Sequence, residues 1–330
     1  MHRYSIREVA KKAGVSISTV SRVLNNSAPV SDELRVRVEK AIKELGYYPS
    51  GIAKSLRKGK TGTIGFILPD ITNPFFANIV RGAEDYLRKK GYTLILCNSD
   101  QNKEQEIQLL GTLISKHIDG LLYTGTGDFN PLLAEKIEKG LKVVFLDRII
   151  KGLNSSYVII DNREGMNILL DYLIKVGHKY FIFINGNKET FSARIRYETF
   201  VKKLTENNLH FKHYFANFSY EAGYSIAKKL RKLPDTIICG NDLIAYGVID
   251  AIEEKGYKVP EDVSVTGFDD IPFSRHYKPP LTTVRQPMYE MGEKAAELLL
   301  KIIEGKEKIN KGIVLLPKLV VRESTKELIK

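Results

Sequence analysis

The sequence predicts an α/β protein in which a small N-terminal domain of three helices precedes a larger core with parallel sheets. Within the first fifty residues, apolar side chains recur at helical spacing in three separate stretches, each preceded by a residue that can cap a helix. From residue 61 onward, short apolar runs typical of buried parallel strands alternate with segments of helical length.

The first two helices are predicted between Ser5 and Asn25. Ser5 and Glu8 can form a capping box, Gly14 allows a sharp turn, and Ser16 can cap the second helix. The outer face of that second helix carries Ile17, Ser18, Ser21, Arg22 and Asn25. A short helix pair with a polar, basic outer face is typical of a DNA-binding helix-turn-helix, and an ordinary helical hairpin with a solvated face is the alternative.

A third helix completes this domain, and a short basic segment follows it. Ser31 can cap the helix and Gly46 can end it, so residues 1–48 should form one small bundle. Pro49 can start another helix within residues 49–60, but about two turns are too short to be stable alone in water. We therefore expect a hinge helix that folds on docking to nucleic acid, and a disordered linker in the free protein.

The charge of the chain is concentrated in this N-terminal part. The net charge is +12, and residues 1–60 carry 13 Lys and Arg against 5 Asp and Glu. An excess gathered in under a fifth of the chain favours a small domain that faces phosphates. No signal peptide or membrane-spanning run is evident, so we expect a cytoplasmic protein.

The larger core, residues 61–330, contains two series of alternating strands and helices that meet near Asp161. Two such series predict two similar lobes with a cleft between them, and ligands of open α/β sheets bind beyond the carboxyl ends of the strands. Carboxylates, amides, arginines and aromatic rings follow the predicted strands, which is a set suited to a polyhydroxylated ligand. These segments are Asp70 to Phe76, Asn98 to Asp100, Asp147-Arg148, Asp161-Asn162, Asn241-Asp242 and Asp269-Asp270.

An α/β enzyme acting on sugars or nucleotides is the alternative from a different class. Gly125 and Gly127 do not belong to a phosphate-binding G-x-G-x-x-G loop, because Asn130 fills the third position. The six histidines have no triad or metal spacing, and Cys97 and Cys239 end strand-like runs as small buried hydrophobes would. The sequence therefore argues against an enzyme and predicts no metal or other cofactor.

Several longer phrases, in their order and spacing, resemble the lactose/galactose-repressor family of bacterial regulators over the whole chain. They are YYPSGIAKSLRKGKTGTIG, IGFILPDITNPFF, VFLDR, IICGNDLIAYGVIDAI, VPEDVSVTGFDDI and PPLTTVRQP. The resemblance implies a homodimer on a palindromic operator and a core like the periplasmic sugar-binding proteins. It also implies an N-terminal lobe of about residues 61–161 and 287–318, and a C-terminal lobe of about residues 162–286 and 319–330.

The resemblance also assigns expected roles to particular residues. The base-reading positions are Ile17, Ser18 and Arg22, and the phosphate contacts are Thr19, Ser21, Asn25 and Ser31. In the hinge, the residues expected at the minor groove are Ile52, Ala53, Leu56 and Arg57. The effector positions are Phe75, Phe76, Asp147, Arg148, Arg196, Phe218, Asn241 and Asp269. The family usually has Gly where this chain has Thr199, which puts the local packing beside Arg196 in doubt.

The resulting hypothesis is a repressor whose operator binding is controlled by a small molecule, most simply a sugar or sugar derivative, in the cleft. A second possibility is a global regulator of the same family that responds to a phosphorylated carrier protein on its N-terminal lobe. The tail after Arg322 is too short for a coiled coil, which favours a dimer over a tetramer.

Overall fold

The computed structural model describes residues 4–47, 60–126, 129–150 and 152–328. The chain divides into two compact units, Met1–Thr61 and Gly62–Lys330. Within the described residues, no helix is both long and apolar enough to cross a bilayer. The predicted hinge, residues 49–60, lies outside the described residues except for its last one.

The N-terminal unit contains three helices around one small core. They are α1 (Ile6–Ala13), α2 (Ile17–Asn25) and α3 (Asp32–Leu45). The core consists of Val9, Ala10, Ala13, Val20, Val23, Val38 and Ala41. Gly14 and Gly46 end α1 and α3 in the left-handed region, where glycine is favoured. Helix-spaced apolar residues bury one face of each helix, so the opposite face of α2 remains available to a ligand.

The first lobe of the larger unit has a six-stranded sheet in the order β11-β5-β4-β3-β1-β2. Its strands are β1 (Thr63–Leu68), β2 (Thr93–Asn98), β3 (Gly120–Tyr123), β4 (Val143–Leu146), β5 (Ser156–Ile160) and β11 (Gly312–Leu315). The helices connecting its strands are α4 (Pro74–Lys89), α5 (Lys103–Ser115) and α6 (Pro131–Glu138). All five of its strand pairings are parallel.

The second lobe repeats this arrangement, with the strand order β12-β10-β9-β8-β6-β7. Its strands are β6 (Tyr180–Asn185), β7 (His210–Phe215), β8 (Thr236–Cys239), β9 (Ser264–Asp269), β10 (Thr282–Arg285) and β12 (Lys318–Val320). Its helices are α7 (Asn162–Lys175), α8 (Phe191–Glu206), α9 (Tyr220–Lys229) and α10 (Asp242–Glu254). The edge strand β12 pairs antiparallel with β10, so the expectation of wholly parallel sheets is wrong at this edge.

The chain passes between the two sheets three times. It leaves the first sheet between β5 and α7, and it returns after β10, with the final helix α11 (Met288–Ile303) followed by β11. It then crosses again between β11 and β12. Strict alternation of strands and helices fails between β4 and β5, which are neighbouring parallel strands joined without a helix.

Close helix pairs in both lobes depend on glycine. A Cβ added at Gly292 of α11 would lie 1.9 Å from the Ile79 carbonyl oxygen of α4, and one at Gly82 would lie 2.0 Å from the Tyr289 carbonyl oxygen. Gly247 of α10 is equally tight against α9, with 2.0 Å to the Tyr220 carbonyl oxygen. Backbone contact of this kind fixes the helices that frame the carboxyl ends of the strands.

Candidate functional site

The outer face of α2 presents polar and apolar side chains together. Ile17 is 46% exposed, and Ser18 and Arg22 are exposed beside it. Ser16 caps the helix, since its Oγ accepts from the Thr19 backbone N–H at 3.1 Å. At the first helix, the Ser5 backbone N–H donates to Glu8 Oε2 at 2.7 Å, which is one half of the predicted capping box. The three expected base-reading residues therefore share one accessible helix face.

The expected phosphate contacts are placed around that face. Thr19 and Ser21 are partly exposed, and Asn25 and Ser31 are exposed. The Asn25 amide already donates to the Ser21 carbonyl oxygen at 2.8 Å. Ser31 is the N-cap residue of α3, although within residues 4–47 its side chain accepts no capping hydrogen bond. The expected minor-groove residues Ile52, Ala53, Leu56 and Arg57 lie outside the described residues.

A cleft between the two lobes brings together all eight expected effector residues. Its lining includes Phe75, Phe76, Asp147, Arg148, Arg196, Phe218, Asn241 and Asp269. They come from the ends of strands in both sheets and from the helices and loops beside them. The cavity within the cleft has a volume of about 50 Å³. A compact polar ligand suits this space.

Arg196 is the most constrained side chain of the cleft. Its Nε donates to Asn162 Oδ1 at 2.8 Å and its Nη1 to the Gly240 carbonyl oxygen at 2.5 Å. The guanidinium lies 3.6 Å from the centre of the Phe268 ring, a cation–π contact. Burial lowers the pKa of Arg196, while the carboxylate of Asp269 opposes that effect. These contacts hold one buried positive charge at a fixed position.

Asp269 lies at the end of β9 and faces that charge. Burial raises the pKa of Asp269 well above its usual range, and the nearby Arg196 works against this rise. Gln286 donates from Nε2 to Asp269 Oδ1 at 2.6 Å. Asp269 has a φ of 122° and Asp147, after the corresponding strand β4 of the other lobe, has a φ of 60°. Such backbone is uncommon outside glycine and is concentrated at functional sites.

The first lobe contributes a second buried arginine and a pair of aromatic rings. Arg148 donates from Nη1 to the Gly125 carbonyl oxygen at 2.8 Å and lies 3.3 Å from Asp147 Oδ2. Phe75 and Phe76, in the first turn of α4, form an edge-to-face pair with centroids 5.0 Å apart. The cleft thus combines fixed hydrogen-bond donors with apolar ring surface.

Asn241 and Phe218 complete the second lobe's side of the cleft. Asn241 caps α10, because its Oδ1 accepts from the Ile244 backbone N–H at 3.0 Å. Its amide nitrogen is 3.5 Å from the Phe218 carbonyl oxygen, which links the two predicted residues. Arg194, by contrast, is partly exposed on α8 and does not line the cleft. Thr199 donates to the Ile195 carbonyl oxygen at 2.8 Å without displacing Arg196 from the cleft.

Sequence reasoning missed several cleft residues. They are Gln101, Asn187, Thr190, Ser192, Asn217 and Gln286. Within the described part of the chain, the buried atom Gln286 Oε1 has no hydrogen-bond partner. Buried polar groups are normally satisfied, so this atom of the cleft lining is available to accept a hydrogen bond from a ligand. Gln286 directly follows β10, which the sequence analysis did not predict. Predicting that strand would have identified Gln286 as a strand-end residue.

Other strand-end residues of the predicted set do not line the cleft. Asp242 is completely buried behind it and accepts from the Ser274 and Thr283 hydroxyls, each at 2.6 Å. Asp270 forms ion pairs with two arginines on a different surface. Within the described ranges, no group of three potential metal ligands comes together.

Comparison with known proteins places this geometry in a family. Residues 5–50 match the family model of bacterial regulatory proteins of the lacI family, and residues 170–325 match a periplasmic binding protein-like domain. The HTH-type transcriptional repressor PurR of Histophilus somni is 38% identical over 335 residues, covering 98% of this chain and 99% of that protein. The ribose operon repressor of Halalkalibacterium halodurans is 37% identical over 325 residues, with 98% and 97% covered.

The chain belongs to the lacI family of bacterial regulatory proteins. Solved structures agree: a lac repressor dimer bound to operator and the anti-inducer ONPF has a TM-score of 0.89 at 27% identity, covering 98% of this chain and 99% of that one. A lacI-family regulator from Enterococcus faecium with bound ribose has a TM-score of 0.75 at 31% identity, covering 81% and 100%. The predicted family and fold class are confirmed. The chain is a DNA-binding transcriptional repressor with a ligand-binding core, and the enzyme alternative is set aside.

Proposed function

We propose that this repressor binds a palindromic operator as a homodimer and that a compact, neutral sugar in the cleft controls this binding. The observation that carries the proposal is the convergence of Arg148, Arg196, Asp269 and Asn241 with phenylalanine rings around one small space. Arginine forks, carboxylates and amides hydrogen-bond to hydroxyl groups, while an aromatic ring packs on the apolar face of a sugar. The ribose-bound relative from Enterococcus faecium supports the same ligand class.

DNA recognition in this proposal depends on the exposed face of α2. Arg22 can donate two hydrogen bonds to a guanine, and Ile17 can contact a thymine methyl group. Thr19, Ser21, Asn25 and Ser31 would contact phosphates and set the register. The hinge residues Ile52, Ala53, Leu56 and Arg57 would enter the minor groove. Closure or reorientation of the lobes by the sugar would then change operator occupancy, and a coupling of about 1–3 kcal/mol corresponds to roughly 5–150-fold.

A thermal-shift screen of the full chain tests the ligand class. We expect compact sugars such as ribose to raise the melting temperature with concentration, because a ligand that binds only the folded core stabilises it. Sugar phosphates, nucleosides and purines form the comparison panel. A shift given only by purines or nucleosides would overturn the sugar assignment. If no compound of the panel changed the melting temperature, the result would argue against direct small-molecule control and favour the carrier-protein alternative. A pulldown with the phosphorylated carrier protein tests that alternative.

Charge reversal on the two units tests whether DNA reading and ligand binding are separate. Arg22→Glu should abolish binding to an operator selected from random DNA, while the thermal shift with the effective ligand stays unchanged. Lys43→Glu, on an exposed part of α3, is the charge-matched control and should weaken binding less. If Arg22→Glu removed ligand binding as well, the assignment of α2 to DNA alone would be wrong.

A further inference from the structure

A second pocket, distinct from the cleft, lies on the second lobe and is strongly basic. Its lining consists of Asp270, Ile271, Pro272, Arg275, Arg285 and Arg322. We propose that this arginine pocket binds the phosphoryl group of a small molecule, either free phosphate or a phosphate monoester. This proposal does not depend on which ligand occupies the cleft.

The charges of the arginine pocket are unbalanced. Asp270 is its one carboxylate, with Oδ2 2.6 Å from Arg285 Nε and Oδ1 2.7 Å from Arg322 Nη2. Arg275 also lines the pocket, so three guanidinium groups line it together with a single carboxylate. In the antiparallel pairing of β10 with β12, Lys318 lies directly opposite Arg285. Like charges at opposed positions of a sheet are destabilising, and a bound dianion would relieve that repulsion.

Among the described residues, Arg285 and Arg275 also have hydrogen-bond donors without a partner. The Arg285 side chain is 52% exposed, and among the described residues its two terminal amino groups have no hydrogen-bond partner. The same holds for the terminal amino groups of Arg275, whose Nε donates to His276 Nε2 at 2.9 Å. Arg322 is fixed more firmly, since its Nη1 donates to the Leu281 carbonyl oxygen at 2.7 Å. A planar fork with two free amino groups matches the oxygens of a phosphoryl group.

The position of the pocket explains why a ligand there would matter. Asp270 directly follows the cleft residue Asp269, and Arg285 directly precedes the cleft residue Gln286. Gln286 and Asp269 are joined twice, by the 2.6 Å side-chain bond and by a 3.1 Å bond from the Gln286 backbone N–H to the Asp269 carbonyl oxygen. A phosphoryl group that draws Arg285 away from Asp270 therefore acts on the two strand ends that carry these cleft residues. Binding at the two sites would be reciprocally coupled.

Isothermal titration of the full chain with inorganic phosphate and with glucose 6-phosphate, at constant ionic strength, tests the proposal. We expect saturable binding that Arg285→Ala weakens by about 10- to 100-fold, the usual effect of losing hydrogen bonds to a charged group. Arg81→Ala is the matched control, because Arg81 Nε also lies 2.9 Å from an aspartate oxygen on an exposed surface. It should bind both probes like the unchanged chain.

Asp270→Asn gives a change of opposite sign. Removing the competing carboxylate should tighten phosphate binding several-fold, whereas a purely structural role for these ion pairs predicts no gain. Equal affinity for both probes would assign the site to the phosphoryl group alone, and tighter binding of glucose 6-phosphate with the same Arg285→Ala loss would assign it to a phosphate monoester. The proposal is overturned if neither probe binds, or if Arg285→Ala binds both like the unchanged chain. It is also overturned if Arg148→Ala in the cleft abolishes binding that Arg285→Ala retains.

Discussion

Replacing Arg196 by Met should destabilise the ligand-binding core substantially. The methionine keeps much of the apolar stem but removes the guanidinium that donates to Asn162 and Gly240 and stacks on Phe268. Asp269 would then be buried without its opposite charge. A hydrogen bond from a charged donor contributes about 1.5–3 kcal/mol, so losing the two bonds to Asn162 and Gly240 should cost about 3–6 kcal/mol.

Thermal unfolding of the core measures this cost. For domains of this size, 1 kcal/mol shifts the melting temperature by about 2–4 °C, so Arg196→Met should melt roughly 6–24 °C lower. Arg194→Met is the matched control, since Arg194 lies two residues away on the same helix but does not line the cleft. If both variants melted at the same temperature, the electrostatic account of the cleft would be refuted.

The pH dependence of the same variant provides a second check. Burial already raises the pKa of Asp269, and Arg196 counteracts that rise. Without Arg196 the pKa of Asp269 in the folded state should rise further above its unfolded value. A raised carboxyl pKa stabilises the fold at low pH, and this stabilisation is lost as the pH rises through the folded value. The destabilisation by Arg196→Met should therefore be larger at pH 8 than at pH 5.

Two further predictions concern stability. Burial raises the pKa of Asp242 from 3.8 to about 7. As the pH rises from about 4 to 8, the free energy of unfolding of the unchanged protein should therefore fall by up to about 4 kcal/mol relative to that of Asp242→Asn. Denaturant titrations of both proteins across this pH range measure the difference, and the same pH dependence in both would contradict the prediction. Gly292→Ala should cost about 1–3 kcal/mol because its Cβ meets the Ile79 carbonyl oxygen at 1.9 Å. Gly111→Ala, in open space on α5, should instead gain about 0.5–1 kcal/mol, and reversal of this order would refute the close helix packing.

The sequence pattern anticipated most helices and strands because they have long apolar periodicity and clear caps. Strands β5, β10, β11 and β12 escaped because each of them pairs with a strand from a distant part of the chain. The pairing of β11 with β5 joins Gly312 to Tyr157, for example. Such contacts follow from the return of the chain between lobes and leave little trace in local periodicity.

The residues of the candidate site also divide into those that the sequence predicted and those that it missed. Residues after strongly apolar strands, such as Asp147 and Asp269, were found because strand ends converge in parallel sheets. Gln286 was missed because its strand was missed. Asp242 and Asp270 stand beside Asn241 and Asp269 in the sequence, yet their side chains lie outside the cleft lining. Adjacent residues at a strand end face different surroundings, so the order of the chain alone does not assign each one to the ligand.

The two pockets of the core differ in charge in a way that separates their ligands. Arg148 and Arg196 in the cleft are offset by Asp147, Asp269 and Asp70. An anion entering this space would lose its hydration beside the carboxyl groups of three aspartates, one of which is already paired with Arg148. A neutral, hydroxyl-rich ligand meets no such penalty. In the arginine pocket, one carboxylate faces three guanidinium groups, so a phosphoryl group there gains charge-assisted hydrogen bonds. On the two proposals together, the same core would sense a neutral sugar and a phosphorylated compound at separate sites.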